Sequence, residues 1–535
     1  MRTLKRLGFI GLVGGAMFLS ACGAKQKGSK TLHADWKELY AAVPADAAWN
    51  FGVRVDADSS MPKILEMAQG SFSPDAFTGI VNVLKRENML NDKELVAFER
   101  DGSRWLIVNV DQPALALEKL ADHFRMVGGV EETRVGERVL LRHVLSGERN
   151  EGYAVDATAV GQFVITRYGD SSSEREVNAE FVQLTTGWPG VGTFAKSGPG
   201  EAQRARAAGG TLTSWGGLNV RALNEGMRTE AAAGNDMLEM VRTSEVDTSV
   251  ACQEANARIE ALVPSVTFVS FTDEAGLEHT DAFMELSARG VDRGNRLMRG
   301  APSLQRFTER ALLGVGASFD YGTFLRELDP AEGQSACYGL AGVVGVLDEM
   351  KDDYSTSIQF NARTVSGTGA FVLESVNLDG FIPTAELGVM VHSPNATALM
   401  DRLVRFASKH GTASVIATAS SPAVSVQLSG VPLRIRIQSG EDRVVISTGG
   451  VHEEITTGLM NVGVHASDAP ALEIFTDGTR MARLVEQANI FIEDMEMPED
   501  DSTRDVVEML SGHTKSVRAS LRFEANGLRF SSRQE

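Results

Sequence analysis

The sequence predicts an α+β fold of repeated βαββ-type units, with mostly antiparallel sheets and helices packed on one face. Three observations predict it. Short apolar strands stop repeatedly at Asp, Asn or Ser and give way to an amphipathic helix. Antiparallel strand pairs around tight turns come after those helices. A composition of 43% hydrophobic and 23% charged residues over 535 positions is that of a globular chain long enough for several domains.

In chain order, a helix is expected first around Asp35 to Ala41, before the turn Val43-Pro44-Ala45-Asp46. Trp49, Phe51, Val53 and Val55 then alternate with Asn50, Gly52, Arg54 and Asp56, the period of a half-buried strand. The run Asp56 to Ser60 supplies N-caps for a helix over Met61 to Gln69. The same order recurs at Thr211 to Leu223 with a helix from about Asn224, and at Leu313 to Asp320 with Tyr321 to Leu328. It recurs again at Leu387 to His392 with a helix carrying Leu399, Leu403 and Phe406, and at Leu472 to Asp477 with Met481 to Phe491.

Strand pairs are expected at Glu94 to Arg100 with Trp105 to Val110 around Asp101-Gly102, a hairpin signal. Asp111-Gln112-Pro113 caps a helix over Ala114 to Phe124, and Val130 to Val135, Arg138 to Leu145 and Phe163 to Arg167 continue as strands. Further pairs are Val266 to Phe271 with Leu277 to Leu286, Ser357 to Ala362 with Gly367 to Glu374, and Val517 to Glu524 with Leu528 to Ser532. The period is too irregular for a solenoid. The expected division is 1–21 as signal peptide, 22–34 as tether and 35–205 as a first α+β domain. Residues 206–380 form a second domain of two related units, and 381–535 a third.

The amino terminus carries the most specific motif. Arg2, Lys5 and Arg6 precede the apolar run Leu7 to Leu19, which ends in Leu19-Ser20-Ala21-Cys22. A run of this length is shorter than the roughly 20 residues a membrane helix needs, and the pattern is that of a secretory signal. The segment resembles a bacterial lipoprotein signal peptide, in which the chain is cut before a cysteine that receives lipid. The resemblance implies a lipid on Cys22, and Gly23-Ala24 after it implies the outer membrane rather than the inner. Several acyl chains on Cys22 would anchor the body stably, at about 0.8 kcal/mol per buried CH₂. Val43-Pro44-Ala45-Asp46 and the Asp111-Gln112-Pro113 helix are also similar to a family of bacterial extracytoplasmic proteins of unassigned activity, which carries over no catalytic residue.

Charge narrows the partners. The formal net charge is −19, and the signal segment holds three basic residues and no acid, which leaves a mature body at −22. Such a surface repels phosphate backbones, so nucleic acid is not an expected partner. The expected partners are the membrane, through lipid on Cys22, and other envelope proteins. Cys252 and Cys337 are the remaining cysteines, each opening a helix within Ser-Val-Ala-Cys and Gln-Ser-Ala-Cys. If the units are duplicates these positions are equivalent, and the two form either a disulfide or two buried thiols.

No motif supplies catalysis, a cofactor or a metal. The nine histidines make no H-x-x-x-H pair and there is no C-x-x-C. Glu278-His279-Thr280-Asp281 places acids beside an imidazole, but alternation sends neighbours to opposite faces. Ser60-Met61-Pro62-Lys63 fits S-x-x-K without its companion motifs, and Ser60 suffices as a helix cap. Gly190-Val191-Gly192 and Gly314-Val315-Gly316 lack the third glycine of a dinucleotide site, and Gly314 and Gly316 read as close-packing positions in a strand. Asp352-Asp353 and Glu499-Asp500-Asp501 lack a calcium loop. Met237, Leu238 and Met240, like Met390, Leu399 and Met400, read as core. The expected function is therefore a non-catalytic outer-membrane lipoprotein that binds or scaffolds envelope components. The alternatives are a periplasmic carrier of a hydrophobic ligand and a hydrolase assembled from distant residues.

Overall fold

Tight alternation of apolar with small or polar residues builds β1 (Trp49–Val55), and the strands that flank it extend the pattern into a sheet. The computed structural model describes residues 43, 47–55, 75–90, 93–100, 103–135, 137–145, 153–170, 181, 210–232, 247–298, 300–318, 320, 337–342, 367–377, 384–409, 411–416, 422–429, 434–449, 452–463, 470–494 and 516–534. Two units emerge, Met1–Glu285 with Gln334–Val343, and Leu286–Gly333 with Val344–Glu535. The division at 285/286 lies inside the stretch expected as the second domain. The expected elements at 35–41, 61–69, 321–328 and 357–362 lie outside the described residues.

Unit 1 contains β1, α1 (Asp75–Arg86), β2 (Lys93–Arg100), β3 (Ser103–Asn109), α2 (Pro113–Val127), β4 (Glu131–Val135), β5 (Arg138–Val144), β6 (Tyr153–Val160) and β7 (Phe163–Asp170). It continues with β8 (Thr211–Asn219), α3 (Val220–Ala232), α4 (Val250–Leu262), β9 (Ser265–Thr272) and β10 (Glu278–Glu285). The strands lie side by side as β4-β5-β6-β7-β3-β2-β1-β8-β9-β10, every ladder antiparallel. One face packs on α1 and α2, where Ile80, Leu84, Leu120 and Phe124 meet Leu95, Leu106 and Val164. Each such fully buried side chain contributes roughly 1.5–3 kcal/mol relative to exposure. The other face carries Val96, Phe98, Trp105, Ile107 and Ile165, covered by Phe181, Val43 and Ala47.

Unit 2 contains α5 (Ala288–Leu297), β11 (Leu313–Ser318), β12 (Thr368–Asn377), β13 (Thr384–His392), α6 (Ala396–Ser408), β14 (Gly411–Ile416) and β15 (Ala423–Leu428). It is completed by β16 (Arg434–Ser439), β17 (Arg443–Thr448), α7 (His452–Met460), β18 (Leu472–Thr476), α8 (Gly478–Asp494), β19 (Val517–Glu524) and β20 (Gly527–Gln534). Its antiparallel order is β14-β15-β16-β17-β13-β12-β11-β18-β19-β20, so each strand stands in the place of the one numbered ten lower in unit 1. Connecting hydrogen bonds match as well. Asn219 N donates to Ala48 O and Asp477 N to Leu312 O, while Val110 N donates to Gln162 O and Ser393 N to Asp442 O.

The fold is thus α+β with antiparallel sheets, but helices on one face alone is corrected in unit 2. There α6 packs Leu399 and Met400 on Val444 and Ile437, while α7 packs Ile455 and Leu459 on the opposite-facing Met390 and Val445. Adjacent residues 444 and 445 point to opposite faces, so both faces are apolar and both need a cover.

Short polar residues between strand and helix do serve as caps, at one joint earlier than expected. Asn219 Oδ1 accepts from Ala222 N at 3.1 Å, Asn395 Oδ1 from Ala398 N at 3.1 Å and Asp477 Oδ1 from Arg480 N at 3.0 Å. The first of these starts α3 at Val220 rather than near Asn224. At α2 the expected cap is corrected. Gln112 makes no side-chain bond there, and Asp111 pairs instead with Lys93 Nζ at 2.5 Å.

Candidate functional site

Two polar groupings stand out, both within unit 1. The first is built around the cysteines. Ser249 caps α4, its Oγ accepting from Cys252 N, and this sets Cys252 in the first turn facing inward. Cys337 arrives from the connection between β11 and β12 and lies in a short parallel bridge with Asp247. The two sulfurs form a disulfide with Cα atoms 5.3 Å apart, and both cysteines are fully buried. Cys252 lies between β8 and β9, so the two cysteines occupy different connections and not equivalent ones.

Side chains of α3 and α4 then hold the segment after Cys337. Asn224 Oδ1 accepts from Leu340 N at 3.2 Å and Asn256 Oδ1 from Ala341 N at 3.0 Å, which satisfies orphan amides at the start of the helical residues 339–342. Asn256 Nδ2 donates to Tyr338 O, and Asn224 Nδ2 to Glu260 Oε1. Gly339 has φ +64°, and a Cβ there would come within 2.6 Å of Asn224 Oδ1, so glycine is required twice over. Burial pushes the Tyr338 hydroxyl above its ordinary value. Asp247 Oδ2 stands 3.4 Å from Cys252 Sγ, and the carboxylate and both sulfurs lie within 4.8 Å of one another. A metal would need those sulfurs as thiolates, and here they are bonded to each other.

The second grouping crosses the sheet. Register places Phe98, Trp105, Arg167, Asp156 and Arg142 directly opposite one another on β2, β3, β7, β6 and β5. Trp105 is sandwiched by Phe98 at 6.1 Å and Phe181 at 5.4 Å, with the Arg167 guanidinium 5.9 Å from its ring. Asp156 is fully buried, 3.5 Å from Arg167 and 4.0 Å from Arg142, while Arg167 donates to Ser103 Oγ at 2.7 Å. Burial raises the Asp156 carboxyl above its ordinary value against the pull of both guanidiniums. No single stretch of sequence signals this row, since its members come from five strands.

The other candidates resolve individually. His279 Nε2 meets Asp273 Oδ2 at 2.8 Å and stacks on Phe271, a bond that holds the Asp273 carboxyl below its ordinary value. Gly314 and Gly316 lie in β11, where a Cβ would overlap the Phe475 ring and come within 2.6 Å of Pro302 O respectively. Met390, Leu399 and Met400 are core. Cys22, Ser60, Lys63, Gly190, Gly192, Met237, Leu238, Met240, Asp352, Asp353, Glu499, Asp500 and Asp501 lie outside the described residues. No protein-family model matches the chain, and neither a curated protein nor a solved structure does so.

Proposed function

We propose that this chain is a lipoprotein of the bacterial envelope, held to the outer membrane by lipid on Cys22, which binds or scaffolds envelope components without catalysis. The observation that carries the reading is the buried Cys252–Cys337 disulfide. Disulfides persist in oxidising compartments, and Leu19-Ser20-Ala21-Cys22 is the motif that delivers a chain to one. Joining residues 85 apart also stabilises the fold by about 4–5 kcal/mol in the chain-entropy model. The shared strand order supports a finer reading of the architecture, in which the repeated unit is the whole sheet with its helices. Two such surfaces on one tether suit a scaffold.

Growth with an alkyne-tagged palmitate tests the anchor. The wild-type chain is expected to carry the tag and sediment with membranes, and Cys22→Ser to lose both. A tagged, membrane-bound Cys22→Ser chain would overturn the reading.

A further inference from the structure

Cys252 holds a position that ordinarily makes a cysteine reactive. It is the third residue of α4, its amide bound by the Ser249 cap, and the partial positive charge of a helix start favours a thiolate there. A disulfide ending in such a cysteine gives up that sulfur readily, because the leaving thiolate is stabilised as it departs. Burial alone does not prevent this, since exchange proceeds whenever the covering segment lifts.

Asp247 opposes the helix. Its Oδ1 accepts from Ser249 N at 2.8 Å and its Oδ2 from Ser249 Oγ at 3.0 Å, which fixes the carboxylate beside the cap. Oδ2 stands 3.4 Å from Cys252 Sγ, and a carboxylate oxygen and both sulfurs lie within 4.8 Å of one another. A full negative charge at that distance outweighs the positive end of a helix, which amounts to about half an elementary charge. Asp247 and Cys252 share one capping turn, so the carboxylate stays with its sulfur when residues 337–342 lift from α3 and α4.

We propose that Asp247 locks the Cys252–Cys337 disulfide against thiol exchange and turns a helix-start cysteine into a lasting pin. In reduction by a dithiol, an incoming thiolate bonds to one protein sulfur, the S–S bond breaks and the other sulfur leaves as a thiolate. The second sulfur of the dithiol then displaces the first from the protein. Both cysteines take protons from water, and the dithiol is oxidised to its ring disulfide. Negative charge is spread along the sulfurs in each step, and the carboxylate faces it whichever protein sulfur is attacked. What the lock preserves is a crossing of the chain. Gln334–Val343 belongs to unit 1, while the chain on both sides of it belongs to unit 2. The intact bond fixes that stretch covalently, and without it the hold passes to the hydrogen bonds of Asn224 and Asn256.

Reduction of the full-length protein in mild detergent, followed by peptide mass spectrometry of Cys252 and Cys337, tests the lock. Asp247→Asn keeps the shape of the turn and is expected to be reduced by dithiothreitol about tenfold faster than wild type. The charge of the reagent separates electrostatics from looseness. Compared per thiolate at low ionic strength, cysteamine carries an ammonium group and 2-mercaptoethanesulfonate a second negative charge. Cysteamine is expected to attack the wild-type disulfide about tenfold faster, and Asp247→Asn to lose most of that preference. Opening of the segment admits both reagents alike, so a looser fold by itself leaves the preference unchanged. Ser249→Ala frees the turn but retains the carboxylate, and is expected to keep the preference. An Asp247→Asn disulfide reduced no faster than wild type, an Asp247→Asn that keeps the wild-type preference, or a Ser249→Ala that loses it would each overturn the proposal.

Discussion

Trp105 and Gly388 hold the same place in two sheets of the same strand order, eight residues before the start of α2 and of α6. Around Trp105 the row across unit 1 reads Phe98, Trp105, Arg167, Asp156 and Arg142. Around Gly388 the row across unit 2 reads Val372, Gly388, Ser447, Arg436 and Ser425. Unit 1 fills the space above its sheet with large side chains from the strands. In unit 2 small side chains let a helix approach, and Ile455 and Leu459 of α7 lie directly over Gly388 while Ser447 Oγ meets Thr456 Oγ1 at 2.7 Å. One backbone register thus supports two ways of excluding water, since packing fixes volume rather than residue identity.

Breaking the unit 1 solution should cost most. Trp105→Ala removes a ring that touches Phe98, Phe181 and the Arg167 guanidinium, and leaves a cavity the sheet cannot close. The expected loss is about 3–5 kcal/mol, read as a lower denaturant midpoint for unit 1. A loss below about 1 kcal/mol would mean that Phe181 collapses into the space and that the two fillings are interchangeable.

The unit 2 solution fails through the opposite change. A Cβ at Gly388 would overlap Ile455 Cγ2 and come within 2.7 Å of Leu459 Cδ1. Gly388→Ala should cost about 1–3 kcal/mol by overpacking, less than Trp105→Ala because both clashing atoms are side-chain ends that can move. Pairing it with Leu459→Ala should recover part of that loss, and an additive double mutant would show that the glycine serves the strand rather than α7.

These features differ in how far the chain announces them. The caps Asn395 and Asp477 are legible, because a short polar side chain between a strand and an amphipathic run has one local job, whereas Asn219 is hidden within a run that reads on to Leu223. The hairpins β2–β3, β9–β10 and β19–β20 are legible from turn residues. The strand β6 escapes such a reading, since both its faces are buried and Asp156 interrupts its apolar run. The strands β15 to β17 escape it for a related reason, as Ser425, Arg436, Gln438 and Ser447 are polar residues on a buried face, and β14 escapes it because its exposed Thr412, Ala413 and Ser414 carry no apolar alternation. The correspondence between units is hidden because it is written in hydrogen-bond register, where Trp can stand opposite Gly. Helices are expected on one face because alternation along a strand does not say what covers its second side.

The smallest effect isolates a single atom. Gln112 and Asn395 are the N-cap residues of α2 and α6, with φ, ψ of −131°, 74° and −135°, 69°. The backbones are therefore alike and only the side chains differ. Asn395 Oδ1 reaches Ala398 N, whereas the longer Gln112 makes no cap bond. Asn395→Gln should cost about 0.5–1 kcal/mol, and Gln112→Asn should gain a similar amount by presenting its oxygen to the amide of Leu115. Thermal melts of the two variants check both signs. A stabilised Asn395→Gln, or a Gln112→Asn that melts lower than wild type, would show that Pro113 already sets the start of α2 and that the two helices begin by different means.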